Sequence, residues 1–83
     1  DTALLVSYHL PELEAGRQYQ LWLVRNGERD SGGVFSTGMY GNAVMHITAP
    51  RPLHDYNWFG VTVEPAGGSP NPTGERVLGS EPW

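Results

Sequence analysis

The run from Trp58 to Gly74, WFGVTVEPAGGSPNPTG, limits the fold more than any other stretch, because an alternating strand pattern meets a proline and passes directly into a loop of glycines and prolines. Phe59, Val61 and Val63 alternate with Gly60, Thr62 and Glu64, the period of two expected of a half-buried strand. Pro65 lacks the amide hydrogen that a ladder needs, so pairing stops there. Gly67 and Gly68 can then take positive φ and turn the chain, while Pro70 and Pro72 stiffen the path to Gly74. The pattern predicts a fixed corner between two strands, ordered by its local chemistry. Successive amides at Gly67 to Ser69 could also form an anion-binding nest, but a phosphate loop normally feeds a helix and carries a basic residue. Glu75 to Gly79 reads instead as a short closing strand, which favours the structural corner.

The rest of the chain is punctuated in the same manner. Thr2 to Leu10 alternates Leu4, Val6, Tyr8 and Leu10 against Ala3, Leu5, Ser7 and His9 and reads as a first strand; its position leads us to expect an upstream strand or linker. Gln18 to Arg25 reads as a second strand, with Tyr19, Leu21 and Leu23 on one side and Gln18, Gln20, Trp22 and Val24 on the other. Both sides bury something, which predicts a central strand with Trp22 covered by a loop or a partner sheet. Asn26 and Gly27 suit a type I′ hairpin turn, with the return beginning at Arg25 or Glu28. Ser31 to Thr37 reads as a third strand in which Gly32 and Gly33 signal a bulge or a close backbone approach. After a turn at Gly38 to Asn42 comes a fourth strand, Ala43 to Thr48, and then a connector at Leu53 to Asn57 with room for one helical turn. With Arg76 to Gly79 the count reaches six short strands. The expected fold is all-β: a small antiparallel β-sandwich, immunoglobulin-like, or an open barrel, forming a single domain over residues 1–83.

Composition narrows the function classes. Nine acidic residues against five arginines give a formal charge of −4, the wrong sign for nucleic-acid binding, which draws its affinity from phosphate neutralisation. With no cysteine, neither a thiolate metal site, a cysteine nucleophile nor a disulfide can form. The sequence contains no apolar run of about 18 residues that would cross a membrane as a helix.

Candidate chemistry is sparse. His9, His46 and His54 lie in separate elements without a ligand-pair spacing, so no metal site and no cofactor are expected. A hydrolase triad built from Ser36, His46 or His54 and Asp55 lacks a nucleophile elbow, and Glu12 with Glu14 reads as a solvated acidic rim; the expectation is a protein that is not an enzyme. Tyr8, Tyr19, Trp22, Phe35 and Phe59 fit strand interiors. Tyr40, Tyr56 and Trp58 flank turns and form the candidate interaction patch, and Trp83 stands at the last position.

Three segments together resemble the C-terminal domain of the anti-sigma-K factor family: LPELEAGRQYQLWLV at Leu10 to Val24, the glycine before a Val-Phe pair at Gly33 to Phe35, and FGVTVEPAGGSPNPTGERVLG at Phe59 to Gly79. The resemblance implies an extracytoplasmic domain that follows a single membrane span in a membrane-anchored anti-sigma factor. A cytoplasmic segment of such a protein binds an extracytoplasmic-function sigma factor, and an envelope protease releases it by regulated proteolysis. No catalytic residue is implied; Tyr19, Trp22, Pro65, Gly67, Gly68, Pro70, Pro72 and Gly74 read as framework. The alternative is a small-ligand- or peptide-binding β-sandwich of a secreted or envelope protein, using Tyr40, Tyr56 and Trp58. Free edge strands would also let two copies pair as a homodimer.

Overall fold

In the computed structural model, which describes residues 2–7, 10–37 and 43–79, the alternating segments become six strands. They are β1 (Thr2–Ser7), β2 (Arg17–Arg25), β3 (Glu28–Phe35), β4 (Ala43–Thr48), β5 (Trp58–Pro65) and β6 (Arg76–Gly79), with one 3-10 turn at Leu53–Asp55. Four of them form an antiparallel sheet in the order β3-β2-β5-β6, while β1 and β4 form a separate antiparallel ribbon. The all-β, antiparallel expectation is met. β2 is paired on both sides, as the mixed burial of its sequence requires.

The hairpin between β2 and β3 is the one its residues demand. Asn26 at φ 51° and Gly27 at φ 80° both sit in the left-handed region, and a two-residue turn of this kind matches the twist of the strands it joins. Arg25 therefore pairs with Glu28 at once, so the return begins at Glu28, and β3 runs from there through the Ser31 segment to Phe35. A bulge follows: the register passes from Leu21 opposite Gly33 to Trp22 opposite Ser31, leaving Gly32 as the extra residue. A Cβ at Gly32 would lie 2.9 Å from Leu21 Cδ2 and 3.3 Å from Ile47 Cγ2, so the glycine allows β4 to close against the sheet. Leu10, expected at the end of the first strand, is not in a strand. Tyr8, His9, the turn at Gly38 to Asn42, and Trp83 lie outside the described residues.

The two faces of the sheet are held in different ways. On the first face Tyr19, Leu21, Leu23, Phe35 and Val61 form the apolar core, against which Leu10, Leu13, Ile47, Ala49, Leu53, Tyr56 and Val63 pack. Tyr19 and Phe35, directly opposite in the register, stack at 5.5 Å with their planes 25° apart, a geometry worth about 0.5 to 1.5 kcal/mol beyond area burial. The Tyr19 hydroxyl donates to the Pro11 carbonyl at 2.6 Å and so ties the loop before β2 to the sheet. Phe59 departs from the interior position expected of it: it opposes Leu23 near the start of β5 and is 37% exposed.

The second face carries Gln18, Gln20, Trp22 and Val24 of β2 beside Gly60, Thr62 and Glu64 of β5. Thr62 and Glu64 are fully buried, so β5 is not the half-buried strand its alternation suggested. The Pro-Gly segment of residues 65–75 lies back across this face as a strap. Gly74 must pass the β5 backbone so closely that a Cβ there would stand 1.8 Å from the Val63 carbonyl oxygen. Backbone cannot yield as a flexible side-chain tip would, so Gly74→Ala is expected to lose at least about 2 kcal/mol. Gly27→Ala meets nothing within 4 Å and should lose only the left-handed penalty of about 1 to 2 kcal/mol. Urea unfolding of both variants checks the order.

Candidate functional site

The strap is fastened to the second face by three polar side chains of the strands beneath it. Gln20, 3% exposed, mimics a neighbouring strand. Its Oε1 accepts from the Ser69 amide at 2.8 Å and its Nε2 donates to the Ser69 carbonyl at 3.1 Å and to Ser31 Oγ at 2.8 Å. Gln18 Oε1 accepts from the Gly67 amide at 2.9 Å. The Gly68 amide turns back to the Pro65 carbonyl at 2.9 Å. The amides that could have formed an anion nest thus donate to carbonyl oxygens of the protein. Long-range bonds, and not local chemistry alone, order the corner.

Glu64 is the third fastening and the most demanding. From the indole Nε1 of Trp22, a hydrogen bond of 2.8 Å runs to Thr62 Oγ1, whose own hydroxyl donates to Glu64 Oε2. From the strap, the Thr73 amide donates to Oε2 at 3.0 Å, the Gly74 amide donates to Oε2 at 3.1 Å, and the Thr73 hydroxyl donates to Oε1. Trp22, Thr62 and Glu64 are each 0% exposed. Burial by itself raises the carboxyl pKa, but the Thr62 and Thr73 hydroxyls and the Gly74 and Thr73 amides outweigh it and lower the value to about 2. The arrangement stabilises the ionised form through donors to the charge.

Of the candidate patch, Tyr56 and Trp58 are among the described residues, and they are associated with different faces of the sheet. Tyr56 is half-buried, packs against the core, and donates to Asp30 Oδ2 at 2.7 Å. Burial raises its pKa, as do the hydrogen bond and charge of Asp30, while Arg51 lowers it. Asp30 opposes Leu23 on the first face, whereas Trp58, 40% exposed, opposes Val24 on the second. Tyr40 lies outside the described residues. The framework residues are placed as follows: Tyr19 at 1% and Trp22 at 0% exposure, Gly67 and Gly68 at φ 90° and 89°, and Pro65, Pro70 and Pro72 along the strap.

His54 Nε2 lies 3.4 Å from Asp55 Oδ1 on the exposed 3-10 turn, and the His46 side chain is outside the described residues. Among the described residues no group of three or more His, Asp or Glu could hold a metal ion. Glu14 meets Arg17 at 3.5 Å across an exposed turn, a pair of little energetic weight. Concavities flank the sheet among the described residues. A cleft of about 610 Å³ separates Glu28, Arg29 and Asp30 at the hairpin from Asn71, Pro72 and Gly74 of the strap. An apolar notch of about 210 Å³ is lined by Leu21, Leu23, Ile47 and Phe59.

Glu64 was missed as a key residue because alternation alone assigns it to a solvated face. The register supplies the signal: Gln18 opposes Glu64, Gln20 opposes Thr62, and Trp22 shares their face. A tryptophan among facing polar residues marks a covered surface. Because the folded state favours the ionised carboxyl, its stabilisation is complete above the ordinary carboxylate range and declines as pH falls from about 4.5 towards about 2. The shift corresponds to about 3 kcal/mol. Glu64→Gln, which sets an amide NH2 against donor groups, should cost about 2 to 4 kcal/mol at neutral pH. Urea unfolding from pH 7 down to pH 2 should show the difference between wild type and variant shrinking with acid.

Comparison with known proteins adds an independent finding. Residues 1–76 match the family model described as anti-sigma-K factor rskA, C-terminal. A Streptomyces griseus protein described as an uncharacterized protein in the phr 5' region is 35% identical over 63 residues, which span 76% of this chain and 25% of that protein. No solved structure matches the chain. By the extent of the family match, this chain belongs to the family of anti-sigma-K factor C-terminal domains.

Proposed function

We propose that this chain is the extracytoplasmic regulatory domain of a membrane-anchored anti-sigma factor, and that it acts without catalysis by controlling when the protein is cut. The family match over residues 1–76 carries the reading. The sigma-binding segment and the membrane span belong, in this reading, to sequence beyond these 83 residues; among the described residues no helix is long and apolar enough to cross a membrane. The sigma factor is then a partner of the whole protein, an envelope protease is the enzyme that acts on it, and the domain sits on the outer side of the membrane.

The physical basis is that proteases need locally open, extended backbone, whereas here both faces of the central strands are covered. A domain that keeps its neighbouring chain inaccessible, and yields it on a signal, needs stability and not a reaction centre. The outer edges of β3 and β6 are the surfaces where a second copy would pair, and the bulge at Gly32 twists the first of these away from flat pairing.

The test is cleavage of the full-length protein in membranes. Trp22→Ala removes a fully buried indole and its bond to Thr62, a loss of about 3 to 5 kcal/mol. Cleavage should then proceed several times faster than with the intact domain. Equal rates would remove the gating role.

A further inference from the structure

The strap differs from the sheet in what holds it. Every residue from 65 to 75 is exposed or half-buried, and none belongs to the apolar core or packs against it. Its attachment is by hydrogen bonds: Gly67 to Gln18, Ser69 to Gln20, Thr73 and Gly74 to Glu64, and the Ala66 amide to the Gly16 carbonyl at 2.8 Å. Beneath it, Gln20, Trp22, Thr62 and Glu64 are 3% exposed or less. Hydrogen bonds are short-ranged and directional, so a small displacement that breaks the bonds to Gln18, Gln20 and Glu64 together removes most of what resists further displacement.

We propose that residues 66–75 form a releasable latch, which opens as one unit while β3, β2 and β5 stay paired, with Glu64 as its clasp. Opening uncovers Trp22 and the polar row and turns the strap into an extended, accessible segment. The use of this motion as the regulated step rests on the proposed function above. The motion itself does not.

Amide hydrogen exchange of the 83-residue chain, followed residue by residue by NMR at neutral pH, tests the latch with no protease present. In the wild type the amides of Gly67, Ser69, Thr73 and Gly74 should share one opening reaction and exchange at least about 100-fold faster than those of Leu21 and Leu23. Low urea should accelerate the strap amides less steeply than the sheet amides, since opening exposes Trp22 and the polar row whereas unfolding of the sheet exposes the first-face core as well. Phe35→Leu, a mild first-face change, should accelerate Leu21 and Leu23 at least about tenfold and leave the strap amides within about twofold, because the sheet remains formed in the open state. Glu64→Gln should accelerate the strap amides by at least about tenfold. Strap and sheet amides that exchange together in the wild type, or that respond equally to Phe35→Leu, would overturn the proposal. Normal strap opening beside unchanged membrane cleavage would instead remove the gating role and leave the latch standing.

Discussion

A carboxylate with no access to water holds the second face of this domain together. Moving Glu64 out of solvent costs several kcal/mol in principle, and a lone buried charge would neutralise or pull the structure open. Here the charge is surrounded by hydroxyl donors from Thr62 and Thr73 and by amide donors from Thr73 and Gly74, which come from two parts of the chain far apart in direction. An apolar side chain at the same position would cover area equally well but could not fix where the strap lies. The Thr62 hydroxyl also links the charge to Trp22, so the largest side chain of this face and the strap's fastening are parts of one network.

The domain therefore combines two kinds of cohesion. Its first face is held by apolar contact among Tyr19, Leu21, Leu23, Phe35 and Val61, which is non-directional and tolerates small adjustments. Its second face is held by directional bonds to Gln18, Gln20 and Glu64, which tolerate almost none. This division is consistent with the proposed gating role: a small chain cannot build a large core, and in the proposed latch a strap tied by hydrogen bonds opens without dismantling what lies below it. In this member of the anti-sigma-K factor C-terminal family, the division places apolar cohesion on one face of the sheet and polar cohesion on the other.

Strand positions were legible because alternation and turn residues act locally. Asn26 and Gly27 specify a turn on their own, and the glycine pair at Gly32 and Gly33 announces the bulge that forms. Facing was legible where a residue is large, as with Trp22, whose presence on the polar side of β2 implied a cover. What could not be read was the identity of that cover, since it depends on pairings between Gln18 or Gln20 and residues 49 positions away. The same limit explains Glu64 and Phe59. Alternation sets which side a residue faces, but not what covers that side: the strap seals Glu64 in on the second face, while Phe59, on the first face near the start of β5, reaches solvent.

The fastening of the strap depends on the ionisation state of one carboxyl group, which a titration reads directly. A carbon-13 NMR titration of the Glu64 side-chain carboxyl in the folded protein should give a midpoint well below the ordinary glutamate value of 4.5, at about 2. A midpoint at or above 4.5 would mean that burial outweighs the donors, and that the strap is not fastened by an ionised clasp.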